Sequence, residues 1–194
     1  YAAQTLFAPD GRRIMVAWMQ NWDTAGAKPH HCRWFGQMTL PRELSIEHRR
    51  LYQRPVRELE AYRRGPVVHR QILVSGEANL PGVQGRMLDM TVTVRPVGHG
   101  SYRWFRLHLA KDGQHDTILR YKPEEGILKL DRCRSGLPRD IVHTRSFLVK
   151  PRDGEIRLRV ILDRFSVEVF VNDGEAAASA VIYTRQEADA ITFE

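Results

Sequence analysis

From Val67 to Tyr183 the chain is cut into short runs by turn signals. They recur at roughly 8–12 residues, a spacing that points to an all-β fold built as a sandwich. The signals are Ser75-Gly76, Val97-Gly98-His99-Gly100, Lys111-Asp112-Gly113, Pro123-Glu124-Glu125-Gly126, Arg152-Asp153-Gly154 and Asn172-Asp173-Gly174. Between them, strands are expected over 67–74, 87–95, 101–109, 116–121, 126–130, 142–149, 155–162, 165–171 and 176–183. The clearest pattern follows Asp163. Phe165, Val167, Val169 and Val171 alternate with Ser166, Glu168 and Phe170, and Asn172-Asp173-Gly174 then closes a hairpin. Both faces of this strand carry apolar residues, which places it inside a sheet, with Glu168 read as a solvated position of the alternation. The small residues Ala176 to Ala180 would let a facing sheet approach closely.

The first 54 residues have another character. Three of the four Trp fall within the first 34 residues. Residues 1–8 read as a strand ending in the turn Pro9-Asp10-Gly11, and 12–19 (R-R-I-M-V-A-W-M) as a second strand whose continuous apolar run suggests burial on both faces. Residues 20–33 form a long loop broken by Gly, Pro, Asn and Asp. A third strand is expected over 34–44, then a turn and a short fourth strand over 45–54. In Pro55–Tyr62 the residues Val56, Leu59 and Tyr62 are spaced i, i+3, i+6 after a proline at a helix-starting position. That spacing predicts a short amphipathic helix, ended by Gly65-Pro66. Four strands and a helix make one propeller blade and a connector. Such a sheet cannot bury both of its faces alone.

The 194 residues are 42% hydrophobic and 27% charged, as in an ordinary soluble globular protein. No apolar run approaches the ~18 residues of a membrane span, so no membrane partner is expected. The start, Y-A-A-Q-T-L-F, carries no secretion signal and no initiator Met, so a start within a longer protein is expected; a cytoplasmic, bacterial setting is the expectation for that protein. A net charge of +7 raises nucleic acid as a partner. The 25 Arg, against five Lys, are however scattered through strands and turns and are not interleaved with aromatics. Nucleic-acid binding is therefore set aside. Cys32 and Cys133 give no disulfide framework. His30-His31-Cys32 has metal-capable side chains, but neighbours on an extended chain point to opposite faces and no second ligand pair follows at zinc-site spacing. No metal and no cofactor is assigned. There is no G-x-S-x-G elbow and no glycine cluster for phosphate. The carboxylates fall mostly in turns or on solvent faces, and no pair is assigned as a catalytic dyad.

Long loops on a rigid sheet are where binding residues gather, and Trp22 stands in one. It can stack on a ligand face or fold back as a lid over the core.

Five segments in order carry a family resemblance: Y-A-A-Q-T-L (1–6), D-G-R-R-I-M-V-A-W-M (10–19), W-F-G-Q-M-T-L-P-R-E-L (34–44), Q-R-P-V-R-E-L (53–59) and S-V-E-V-F-V-N-D-G (166–174). Together they strongly resemble the C-terminal part of glycoside hydrolase family 32, the β-fructofuranosidases. The resemblance covers essentially the whole chain. It implies residues 1–54 as the closing part of a five-bladed β-propeller, 55–64 as a linker helix and 65–194 as a concanavalin A-like β-sandwich. The family hydrolyses β-fructosides such as sucrose or sucrose 6-phosphate with retention. Its Asp nucleophile lies in an Asn-Asp-Pro motif, its transition-state Asp in Arg-Asp-Pro and its acid/base in Glu-Cys. None of these motifs occurs here; Arg139-Asp140-Ile141 and Arg152-Asp153-Gly154 fall in the sandwich region and are not substitutes. The resemblance thus places all three catalytic carboxylates upstream of Tyr1 and makes this chain inactive alone. It gives Trp22 a substrate-lining role, with Trp18 and Trp34 as weaker candidates whose strand positions also suit core residues. Arg42 and Glu43 are expected to form a structural ion pair at the joint.

Two other roles are compatible with the sandwich. One is a carbohydrate-binding module using Tyr102, Trp104, Phe105 and Tyr121. The other is a structural shield or homodimer contact, which the alternating strands without a polar cluster fit best.

Overall fold

A computed structural model describes residues 1–24, 26–29, 31–34, 36–138 and 141–194. Among the described residues thirteen strands form three antiparallel sheets. The first is a meander in the order β1 (Gln4–Phe7), β2 (Arg13–Val16), β3 (Arg42–Glu47) and β4 (Arg50–Pro55). Its opening hairpin turns at Gly11, whose φ of +86° is the left-handed conformation that glycine adopts without cost. The turn between β3 and β4 puts two side-chain-bearing residues, His48 and Arg49, at positive φ.

The other two sheets face each other. One has the order β12 (Ala176–Val181), β11 (Ser166–Val171), β10 (Ile156–Asp163) and β5 (Leu88–Val94). The second has the order β13 (Ala190–Phe193), β6 (Phe105–Lys111), β7 (Asp116–Lys122), β8 (Ile127–Arg134) and β9 (Thr144–Leu148). Period-two alternation decides what lies between them. Ile156, Leu158, Val160 and Leu162 of β10 and Val167, Val169 and Val171 of β11 meet Leu107, Leu109, Leu119, Leu128 and Leu130 in one buried core.

The reverse face of β11 is buried as well. Ser166, Glu168 and Phe170 are all inaccessible, because the first sheet packs there: β4 contacts both β12 and the Asn172–Gly174 turn. A strand covered on both sides explains the apolar residues on both of its faces. The solvated reading of Glu168 is corrected, since it is 2% exposed. Gly174 lies where the units meet, at φ +96°; a Cβ there would sit 2.3 Å from the Gln53 carbonyl oxygen.

Several elements differ from expectation. β3 begins at Arg42, and residues 34–41 contribute only an isolated bridge between Trp18 and Met38; Phe35 lies outside the described residues. β2 is half-buried rather than covered on both faces. The helix is a 3-10 helix, Arg57–Tyr62, with no buried residue, and Pro55 ends β4 instead of starting it. A three-residue apolar spacing is the period of a 3-10 helix, so the i, i+3, i+6 pattern belongs to this form. Residues 67–74 form no strand. Their apolar residues come as the blocks 67–68 and 72–74, which do not alternate. β13 is an additional strand, whose alternation of Ile191 and Phe193 about Thr192 is short and lies at the chain end.

Candidate functional site

The long loop leaves β2 at Ala17 and returns at Thr39, and its two ends are bonded to each other. Ala17 N donates to Thr39 Oγ1 at 3.1 Å. Thr39 N donates to the Ala17 carbonyl at 2.8 Å and Met19 N to the Gln37 carbonyl at 2.8 Å. On the other side Trp18 N donates to the Tyr1 carbonyl at 2.9 Å, and the Tyr1 amine donates to the Trp18 carbonyl at 2.7 Å. Trp18 is thereby fixed between two extended neighbours.

The loop tip is a tight turn stabilised by its own polar residues. Asn21 N donates to Thr24 Oγ1 at 3.1 Å, and Thr24 N donates to Asn21 Oδ1 at 3.2 Å. Asn and Thr compete for backbone groups in this way at turns. The 3-10 turn Trp22–Thr24 lifts Trp22 outward, 81% exposed. Its ring meets Tyr1 edge to face, with centroids 6.3 Å apart. The lid reading for Trp22 therefore fails, and an outward aromatic face stands at the loop tip. Within this chain Trp18 and Trp34 are 54% and 49% exposed. Trp34 rests edge-on against Phe165 at 6.0 Å and so leans on the sandwich. Tyr1 is the residue the sequence did not single out, and nothing in its local pattern marked it.

Gln20 ties the loop down from below. Its Nε2 donates to the Ala27 carbonyl and to Tyr183 Oη, both at 3.2 Å. Burial pushes the Tyr183 phenol up, so it stays protonated. His30 lies outside the described residues. Among the described residues no group of three His, Cys, Asp or Glu side chains is arranged to hold a metal ion.

The expected Arg42–Glu43 pair is not formed; the two residues serve separate networks. They are adjacent in β3 and point to opposite faces. Arg42 turns toward the sandwich, where its Nη2 donates to Glu168 Oε2 at 2.5 Å and also to Ser179 Oγ, and its Nη1 donates to Gln53 Oε1 at 2.8 Å. Leu40 N donates to Glu168 Oε1 at 2.6 Å and Ser179 Oγ to Oε2 at 3.0 Å. The guanidinium of Arg42 also lies over the Phe170 ring at 5.1 Å.

Glu43 points the other way. It accepts from Arg57 N at 2.9 Å, Arg57 Nη2 at 3.0 Å and Arg12 Nη1 at 2.7 Å, which anchors the first residue of the 3-10 helix. Arg57 first, and Arg12 after it, hold the Glu43 carboxyl at about 2. A general acid needs a carboxyl raised toward neutrality. Glu43 is displaced in the opposite sense, and both oxygens of Glu168 are already taken. Neither is suited to proton transfer.

A cleft of about 570 Å³ opens at the same joint, lined by Arg50, Tyr52, Arg54, Lys150, Arg152 and Glu175 among others. Its charges are largely paired: Glu175 with Arg50 at 2.5 Å and Arg152 at 3.0 Å, and Glu47 with Arg54 at 2.5 Å. Small-molecule sites are mostly apolar with a few aimed polar groups, and this cleft is the reverse, an ionic rim to the joint.

The candidate aromatic strip of the sandwich is not on its surface. Phe105 and Tyr121 are buried in the core, and Tyr102 packs against it. Burial pushes the Tyr102 phenol up to about 12. Trp104 is half-buried with the guanidinium groups of Arg103 and Arg106 at 4.6 and 4.7 Å from its ring. Facing inward is what the core alternation requires of Phe105 and Tyr121, which are directly paired across β6 and β7.

Comparison with known proteins places these features in a family. Residues 58–194 match the family described as "Glycosyl hydrolases family 32 C terminal", and residues 1–55 match "Glycosyl hydrolases family 32 N-terminal domain". Among relatives, a levanase of Bacillus sp. (strain L7) is 35% identical over 95% of this chain and 21% of its own length. A raffinose invertase of Escherichia coli is 37% identical over 96% of this chain and 37% of its own length. The chain thus spans well under half the length of the relatives it matches. Among solved structures, the exo-inulinase from Aspergillus awamori superposes with a TM-score of 0.85 at 22% identity, over 100% of this chain and 39% of that one.

Proposed function

The chain belongs to glycosyl hydrolase family 32, and from that premise we propose that it is the C-terminal region of a retaining glycosidase cleaving β-fructosides such as sucrose or sucrose 6-phosphate. The observation that carries this reading is the succession, in one chain, of segments matching the N-terminal and C-terminal parts of that family. In this reading residues 1–54 close the catalytic propeller, 55–64 connect it and 65–194 form the accessory sandwich. The nucleophile, the transition-state Asp and the acid/base are supplied by sequence upstream of Tyr1.

The residues of this chain then bind rather than react. Retaining chemistry needs two carboxyl groups about 5 Å apart in one pocket, and the carboxylates at the joint are neutralised by arginine. Trp22 is the residue we assign to the substrate. Its indole face, steadied by Tyr1, offers an apolar surface to the C–H face of a sugar ring. Trp18 and Trp34 flank the same loop and rank behind it.

The sandwich is assigned a structural role. The inward course of Phe105 and Tyr121 favours that over a glycan-binding strip, and a homodimer contact through the sandwich is part of the same proposal. Sucrose hydrolysis by the full-length protein, lost on changing the upstream nucleophile, is the expected result. A full-length protein inert on every β-fructoside, or turnover by residues 1–194 alone, would contradict it. Light scattering of the full-length protein reports the dimer.

A further inference from the structure

A second, smaller cavity of about 100 Å³ lies beneath the Trp22 loop, where the loop meets the sandwich. Asn21 and Thr24 line it from the loop, and Arg132, His143, Arg145 and Ser179 from β8, β9 with its approach, and β12. Among the described residues that line it there is no carboxylate. Most arginines at the joint with the first sheet have one: Arg12, Arg42, Arg54 and Arg57 are each ion-paired. Arg132 and Arg145 form no ion pair among the described residues. Arg132 donates only to the carbonyls of Val181 and Val142, at 3.1 and 3.2 Å, and Arg145 only to that of Thr144, at 3.1 Å.

Carbonyl partners satisfy the N–H groups but do not neutralise the charge. Burial first, and the charge of Arg145 next, press the Arg132 guanidinium toward losing its proton. Two like charges held at one small cavity, one of them desolvated, are a cost that an anion removes. His143 adds a donor: its Nδ1 is buried without a partner, and an imidazole nitrogen there can carry a proton. The carboxylate behind the cavity, Glu168, is reached through Ser179 and already paired with Arg42.

We propose that this cavity binds a small tetrahedral oxyanion of the phosphate class, held by Arg132, His143 and Arg145. A volume of about 100 Å³ has room for an ion the size of a phosphate group. A sugar phosphate would seat its phosphate there and leave the sugar outside. The planar guanidinium fork of arginine matches the oxygens of such an ion. Occupancy bridges the loop that carries Trp22 to the sandwich, so the anion steadies the loop tip.

The test is calorimetric titration of the full-length protein with sodium phosphate against sodium chloride at matched ionic strength, with a hexose monophosphate as a separate arm. Saturable phosphate binding is expected. Arg145→Ala, at an exposed position, should weaken it about tenfold, the worth of one charge-assisted bond. Arg145→Glu places a carboxylate beside Arg132 and should abolish it while leaving the fold intact. Binding in the phosphate arm alone identifies the free ion; binding in both arms that Arg145→Glu removes identifies the dianion, free or esterified. Phosphate heats no different from chloride, or binding that survives Arg145→Glu, would overturn the proposal.

Discussion

Glu43 and Trp22 show how far surroundings shape what a single side chain can do. Glu43 has a carboxyl near 4.5 in the unfolded chain and about 2 in the fold, through Arg57 and then Arg12. A depressed folded value contributes stability that is complete above the unfolded value and is lost as pH falls toward the folded one. Thermal melts of the wild type should therefore drop between pH 4.5 and 2. Glu43→Gln should melt lower at pH 7 and lose less across that window; equal acid sensitivity would count against the assignment. Trp22 is the opposite case, an indole held outward with little burial to lose. Trp22→Ala should leave the melting temperature of the full-length enzyme unchanged while weakening substrate binding about tenfold, read as a higher KM for sucrose. The sequence marked Trp22 correctly as a loop aromatic, yet could not choose between lid and platform. The outward setting of the ring depends on the Asn21–Thr24 turn and on Tyr1, a contact from the residues ahead of β1.

Among the elements, the Asn172–Gly174 turn has two duties. It closes the β11–β12 hairpin and also carries the close approach to β4. Gly174→Ala should cost about 1–3 kcal/mol in denaturant titrations, because a Cβ at φ +96° meets the Gln53 carbonyl. An alanine variant of wild-type stability would mean that the turn and β4 can separate freely. Asn-Asp-Gly announced the hairpin from the sequence, since local turn chemistry is written locally. Its contact with β4 was not legible, being a packing event between distant segments. The same division holds elsewhere. Alternation revealed β10 and β11, whereas the blocky 67–74 run imitated a strand, and the three-residue spacing of Val56, Leu59 and Tyr62 was assigned to the wider helix. Glu168 was misread for a related reason: alternation gives a face, not what covers it. The apolar Phe170 on the same face was the available clue.

For the whole molecule, the buried Arg42–Glu168 pair makes the first sheet and the sandwich depend on one another. Glu168→Ala removes the acceptor of Leu40 N and leaves Arg42 buried without its counter-charge. Breaking one side of a buried pair costs about 3–5 kcal/mol. Calorimetry should show one unfolding transition for the wild type and either a lower or a divided transition for Glu168→Ala; an unchanged thermogram would rule out this coupling. The two partners are 126 residues apart in the chain, and each is contributed by a different segment of the family match. That separation bears on heredity as well as on folding. A sandwich transplanted onto a foreign blade would bring an acidic side chain to a dry surface and find its basic complement only by ancestry. A foreign blade without a base at the Arg42 position would leave Glu168 buried and uncompensated.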